Sequence, residues 1–263
     1  MSERSEHPIL AGAEALSHCP DGNAGGVLAV HGFTGSPSSM AGVAAAMSEA
    51  GLHVEVPRLP GHGTHVADMV PTQWNDWAEE VANAYQRLAS RTERIIIVGQ
   101  SMGGTLALWT ALHHPGVRGL VLVNPVTEPQ PADVRAMIGE LLADGTEAVP
   151  GIGSDIAEPG VVEVSYPDTP VAPLISLLDD GVTPITGRYA ELTMPLLLFT
   201  SCQDHVVDPS QSEHLARTYG GEVDHRWLDR SYHVATQDYD RHDLIAAAVD
   251  FALVHTAATV GGP

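Results

Sequence analysis

An α/β architecture, with a mostly parallel sheet and helices on both faces, is predicted by three observations in this 263-residue chain. Short apolar runs alternate with amphipathic stretches along most of its length, the pattern of strands exchanging with helices. Several of the apolar runs, such as Ile95-Ile96-Ile97-Val98, read as strands buried on both faces. The length is enough to bury a large core and suits one domain carrying an insertion.

The elements follow in order. Val27-Leu28-Ala29-Val30 reads as a buried strand. Ser36-Pro37 then has the form of an N-cap with proline at the first helical position, opening a helix through about Ala50. Val54-Glu55-Val56 is a short strand. From Gln73 to about Ser90 the spacing of Trp74, Trp77, Val81, Ala84, Tyr85 and Leu88 places them on one side of a helix. Ile95–Val98 and Leu120–Val123 are the next strands, and Leu196–Phe199 and Arg226–Leu228 the last two. A closing helix runs from about Arg241 to His255, with Leu244, Ile245, Ala248, Val249 and Ala252 on one face.

Between Pro125 and about Leu192 the alternation stops. This part is rich in Pro, Gly and Asp and holds two amphipathic runs, Val134/Ile138/Leu141/Leu142 and Val171/Leu174/Ile175/Leu178. A stretch of this length inside an α/β domain is usually functional. The expected organisation is core at 1–124, a cap insertion at 125–192, and core again at 193–263.

Charge narrows the function. There are 33 acidic residues against 12 basic ones, a net of −21, and all of the basic residues are Arg. Without lysine there is no Schiff base, phosphate-loop lysine or Ser-Lys dyad. The negative charge argues against nucleic acid and anionic membrane surfaces as partners. Mean hydropathy is +0.02, and no apolar stretch reaches the length of a membrane span. The polar start Met-Ser-Glu-Arg-Ser-Glu-His leads to the expectation of a cytoplasmic protein. The two cysteines, Cys19 and Cys202, suggest no disulfide framework, and Cys202, at the end of a strand pattern, reads as a small core residue. His62, His65, His113 and His114 stand without a carboxylate or thiol set at metal spacing, so they read as surface or loop histidines and no metal is expected.

The most informative stretch is Gly99-Gln100-Ser101-Met102-Gly103, set between the 95–98 strand and the helical pattern from Thr105. Strand, Gly-x-Ser-x-Gly, helix is the nucleophile elbow of a serine hydrolase. The alternative is a glycine-rich turn whose serine only caps the helix. A serine nucleophile needs a base, and the base an orienting carboxylate, which on this kind of elbow follow in the order Ser, acid, His. Asp204 comes first on the loop after Leu196–Phe199 and is the expected acid, with Asp208 as runner-up at the start of the following helix. His233, on the loop after Arg226–Leu228, is the expected base. His225 lies on the wrong side of that strand, and His242 and His255 lie inside the last helix. The oxyanion donors are expected to be the backbone N–H groups of Met102 and of Phe33, the latter in His31-Gly32-Phe33-Thr34-Gly35. The same stretch could be only a Gly-rich turn. His31 precedes Ser101, which argues against it as the base.

Five motifs carry a resemblance, in order: His31-Gly-Phe-Thr-Gly-Ser-Pro, Leu59-Pro-Gly-His-Gly-Thr64, Gly99-Gln-Ser-Met-Gly-Gly104, Asp204-His-Val-Val-Asp-Pro and Ser231-Tyr-His-Val-Ala-Thr-Gln-Asp-Tyr-Asp240. From about residue 27 to 255 the chain resembles the bacterial monoacylglycerol lipases and related small carboxylesterases of the α/β-hydrolase fold. The 125–192 region resembles the monoacylglycerol lipase branch at Ile152-Gly-Ser-Asp155 and at Glu163 through Pro170. The resemblance implies a cofactor-free serine esterase acting on a small lipid ester, monoacylglycerol, and releasing glycerol and fatty acid. It also implies that Asn124 and Glu163 hold the glycerol head group and that Ile152 borders its pocket. Read from the residues alone, Asn124 and Glu163 are equally able to satisfy backbone groups. Two features depart from the family: Gln100 in place of Leu before the nucleophile, and Ser-Cys-Gln before Asp204. A broad short-chain carboxylesterase and a catalytically silent binding protein on a hydrolase scaffold are the competing readings. Oligomeric state is not encoded in these patterns.

Overall fold

The structure, a computed structural model, describes residues 7–21 and 24–258. The polar opening read above, residues 1–6, lies outside them. Along the first half run strands β1 (Leu16–His18), β2 (Gly26–Val30) and β3 (His53–Val56), with helix α1 (Ala41–Glu49) between β2 and β3. Next come α2 (Val66–Met69), α3 (Trp74–Ala89), β4 (Ile95–Gln100), α4 (Met102–His113) and β5 (Val117–Val123). An inserted stretch holds α5 (Ala132–Ala143), β6 (Ala148–Pro150), β7 (Asp168–Pro170), α6 (Val171–Ser176) and α7 (Thr183–Ile185). The chain closes with β8 (Leu196–Ser201), α8 (Ser210–Thr218), β9 (Val223–Leu228) and α9 (Arg241–His255).

Among the described residues the main sheet has seven strands in the order β1-β3-β2-β4-β5-β8-β9. All neighbours are parallel except β1, an antiparallel edge strand that the apolar pattern did not announce because all three of its residues are exposed. Side-chain alternation divides the core into two layers. Leu28, Val30, Ile95, Ile97, Leu120, Leu122, Leu196 and Leu198 face α3, α4 and α8. Val27, Ala29, Ile96, Val98, Val121, Val123, Leu197 and Phe199 face α1 and α9. The doubly wound sheet expected from the sequence is therefore the one observed.

The helices sit where the periodicity placed them. α3 begins after Gln73, whose side chain accepts the Asp76 N–H while the Asp76 carboxylate accepts the Gln73 N–H, 2.8 Å away. The expected helix from Ser36 is corrected in its first turn. Pro37–Met40 is a 3₁₀ turn, and Ser36 does not cap it. Its hydroxyl is used instead at 2.8 Å on the carbonyl of Val164, in the inserted stretch.

The two amphipathic runs of the insertion meet. Ile138, Val171 and Leu178 form a small separate core with Val134, Leu141, Leu174 and Ile175 packed on it, while Leu142 stays exposed. Beyond α6 the helix widens into a π turn over Leu177–Val182. There Gly181 lies against Trp74 so closely that a Cβ would be 2.5 Å from the ring. Ser176 Oγ accepts the Trp74 N–H at 3.0 Å, which nails this end of the insertion to the start of α3.

Candidate active site

β2, β4, β8 and β9 all end at the same edge of the sheet, so the loops that follow them gather there, as expected at the carboxyl edge of an α/β sheet. Ser101 stands between β4 and α4 at φ 56°, ψ −122°, a strained conformation for a residue with a side chain. Close approach explains its neighbours. A Cβ on Gly99 would lie 2.3 Å from the Gly103 carbonyl oxygen, and one on Gly103 would lie 2.1 Å from that of Val30. The elbow can form only with glycine at both places. Its N–H is held by the carbonyl of Val123 at 3.0 Å. Met102 is the first residue of α4, so its N–H is one of those that helical bonding leaves over.

The loop after β2 runs beside Ser101. A Cβ on Gly32 would be 3.2 Å from Cβ and 3.7 Å from Oγ of Ser101. His31, beneath this loop, is fully buried. Its Nδ1 lies 2.9 Å from the Gly32 carbonyl, and its Nε2 accepts the Leu59 N–H at 3.3 Å, which assigns the proton to Nδ1. Burial and the neighbouring His62 push its pKa down to about 3, so it is a neutral structural group. His62 is a loop histidine, as one of the two expected placements had it, but not a surface one: it is fully buried, edge-on to His31, Phe33 and Trp77. The loop that carries it folds under the Phe33 turn, which no local pattern reveals. Burial lowers its pKa to about 4.

His233 is buried on the loop after β9, and its Nδ1 lies 2.8 Å from Oδ2 of Asp204. The other oxygen, Oδ1, accepts the N–H groups of Val206 and Val207, each at 2.8 Å, which locks the carboxylate's orientation. Asp208, the runner-up, instead accepts the Ser210 N–H at 2.8 Å at the start of α8. His225 is engaged by Thr200 at 2.8 Å within the sheet edge, and His242 and His255 ride on α9. The structure thus brings Asp204 and His233 together and sets the competitors aside.

Glu163 comes from the insertion and reaches the loop after β2, where its Oε1 lies 2.8 Å from the position of a Cβ on Gly35. Burial pushes its pKa up to about 6, against the opposing pull of His233 and a bond with Ser165. Ile152 is 60% exposed on the same stretch.

Asn124 is engaged inside the protein. Its Nδ2 donates to the His233 carbonyl at 2.8 Å and to Ser201 Oγ at 3.0 Å, and its Oδ1 accepts the Ser201 N–H at 2.8 Å. Both of its N–H bonds are made inside the protein and brace the loop of His233, while Oδ1 keeps a second lone pair. Gln100, the departure before the nucleophile, has a similar explanation. It is buried, and its Oε1 accepts the Thr236 hydroxyl at 2.6 Å, joining the elbow to the same loop. Cys202 is corrected as well. It is exposed, one residue beyond β8, with Sγ 3.4 Å from Asp229, and slight desolvation together with the Asp229 carboxylate raises its thiol pKa.

With this geometry in hand, likeness to known proteins decides the family. The chain is 39% identical over 258 residues to a thermostable monoacylglycerol lipase of Bacillus sp. (strain H-257), covering 97% of this chain and 99% of that one. The chain belongs to the bacterial monoacylglycerol lipase and carboxylesterase family of α/β-hydrolase-fold serine hydrolases. A carboxylesterase of Bacillus subtilis (strain 168) is 24% identical over 227 residues, 83% of this chain and 88% of that one. A structure from work on LipS and LipT, two metagenome-derived lipolytic enzymes, superposes with a TM-score of 0.87 at 35% identity, covering 94% of this chain and all of that one. The family model described as "Serine aminopeptidase, S33" matches residues 22–151. A Paleococcus ferrophilus monoacylglycerol lipase, at 16% identity and a TM-score of 0.73, shares the fold. As a member of this family the chain is a serine hydrolase of carboxylic esters. No helix among the described residues is long and apolar enough to cross a membrane.

Proposed function

We propose that the protein hydrolyses monoacylglycerol to glycerol and fatty acid through an acyl-enzyme on Ser101. The observation that carries the chemistry is the His233–Asp204 contact at 2.8 Å on loops that converge on the strained elbow of Ser101. In this reading His233 takes the proton of Ser101 Oγ as the oxygen attacks the ester carbon. The N–H groups of Met102 and Phe33 receive the developing oxyanion, and His233 returns the proton to the departing glycerol oxygen. Water, activated by the same histidine, then releases the fatty acid. Asp204 holds the imidazole and stabilises the cation it becomes.

The choice of monoacylglycerol rests on the 39% identity to a monoacylglycerol lipase along nearly the whole chain and on Glu163, a half-buried carboxylate facing the loop beside Ser101. Such a group fits a substrate with free hydroxyls. We read residues 125–192 as a cap whose apolar residues receive the acyl chain, with Ile152 at its rim. The likeness to a carboxylesterase supports the second reading, a short-chain esterase without a head-group preference. Rates on a monoacylglycerol and on the p-nitrophenyl ester of the same acid separate the two. A preference of tenfold or more in kcat/KM for the monoacylglycerol is expected, and equal rates would support the esterase.

A further inference from the structure

Asp155 lies in the insertion between β6 and β7 and is 7% exposed. Its Oδ2 accepts the N–H of His233 at 3.1 Å and that of His205 at 3.2 Å. Oδ1 lies 2.8 Å from Nδ1 of His205, and the Asp155 carbonyl accepts the Val234 N–H at 3.1 Å. One carboxylate therefore grips the residue that follows Asp204 and the backbone of His233 itself. We propose that Asp155 is a positioning residue for the triad, so that seating of the insertion is a condition of catalysis. The inference rests on the reading of Ser101, Asp204 and His233 given above.

The backbone of His233 is clamped from two sides. Asn124, from the end of β5, holds its carbonyl at 2.8 Å, and Asp155, from the insertion, holds its amide. The two clamps hold the backbone of the residue itself at its amide and at its carbonyl, and catalytic groups must be held to within about half an ångström to work. The attachment is reciprocal. Asp238, buried in the loop after β9, accepts the N–H groups of Ala157 and Glu158 at 2.7 and 3.0 Å while also accepting that of Tyr232 at 2.8 Å. Each segment thus presents a carboxylate to the amides of the other, and Arg241 pairs with Glu158 across the same seam. Carboxylate acceptors give the stronger kind of hydrogen bond, so this seam is specific.

Charge adds a second effect. The groups facing His233 are Asp204 at its Nδ1, Asp155 at its N–H, and Glu163 across the site. Asp238 sits at the Tyr232 N–H, Asp240 at the Ser231 N–H, and His205 acts through Asp155, with its ring edge-on to Tyr232. Removing the Asp155 charge takes away one of the negative charges around His233.

The test compares Asp155→Asn and Asp155→Ala with the full-length enzyme on a p-nitrophenyl ester and a monoacylglycerol, each across pH 5 to 9, with a thermal melt of every variant. Asp155→Ala is expected to lower kcat by about 100-fold with KM within twofold, by the same factor on both substrates. Asp155→Asn keeps an oxygen for the two N–H groups but not the charge. It is expected to lose roughly tenfold in kcat and to shift the acidic limb of kcat/KM to lower pH. A residue that only supports the fold would lower the melting point and leave that limb in place. If Asp155→Ala does not fold, Asp155→Asn carries the test through the limb. A folded Asp155→Ala with kcat within threefold of wild type overturns the proposal. So does a loss confined to monoacylglycerol, which would make Asp155 a head-group contact. Ser101→Ala in the same series separates the failures: activity retained there overturns the triad reading, whereas an inactive Ser101→Ala beside an active Asp155→Ala overturns only the role of Asp155.

Discussion

The two halves of the site are built by different physics. The elbow of Ser101 is set locally in space, by steric contact: a Cβ on Gly99 would meet the Gly103 carbonyl oxygen at 2.3 Å and one on Gly103 would meet that of Val30, on the neighbouring strand, at 2.1 Å, which leaves a single workable turn. The loop of His233 is assembled from afar. Its geometry depends on Asp204 after β8, Asn124 after β5, Gln100 on β4 through Thr236, and Asp155 in the insertion. Steric exclusion around two glycines specifies the turn of Ser101, whereas the His233 ring must be aimed, and aiming draws on hydrogen bonds between segments far apart in sequence.

The largest effect should come from the local half. Ser101→Ala removes the nucleophile without a new side chain to accommodate, and kcat is expected to fall by on the order of 10⁴ or more with an unchanged melting curve. Ester turnover on purified protein checks this, and residual activity of a tenth would refute the assignment.

Breaking the long-range half should affect stability and rate together. Asn124→Ala leaves the buried His233 carbonyl and Ser201 N–H without partners. A cost of about 1–3 kcal/mol is expected for each group left unpaired. Denaturant melts measure that cost, and kcat should fall alike on p-nitrophenyl and glycerol esters. A loss on the glycerol ester alone would return Asn124 to the head group.

Glu163→Gln sharpens the comparison from the other side, since it tests substrate recognition and not aiming. The expected result is a fall of about 10- to 100-fold in kcat/KM for monoacylglycerol, with little change on the p-nitrophenyl ester. Equal losses on both would place Glu163 among the structural groups of the insertion.

The last comparison is set by pH and reads stability alone. His31 and His62 have folded pKa values of about 3 and about 4, below the 6.5 of a free imidazole. Between those values the unfolded chain binds protons that the folded one refuses. Their contribution is therefore complete above about pH 6.5 and is lost as pH falls towards 4, by up to about 1.4 kcal/mol per pH unit for each. Glu163, with its pKa pushed up to about 6, acts in the opposite sense between pH 6 and 4.5. Melting temperature should thus decline below pH 6, and less steeply in His62→Gln; a flat profile from pH 7 to 4.5 would contradict the burial of these rings.

The residues themselves determined the alternating α/β pattern, α3 and α9 to within a residue, and the elbow. The helices depend on periodicities that operate over a few turns of chain, and the elbow shows in the spaced glycines that its steric limits require. The placement of Ser101, Asp204 and His233 at one edge of the sheet was legible because each follows a strand, and strand ends are readable. Other features were decided by the tertiary structure alone. The exposed edge strand β1 carries no apolar signal. His62 is buried only because a distant loop folds beneath Phe33. Asn124 spends its hydrogen bonds on residues 201 and 233, and Asp155 on residues 205 and 233. The chemistry of an amide or a carboxylate is the same whether it faces substrate or backbone. Which of the two it meets is fixed only when the strands have brought their ends together.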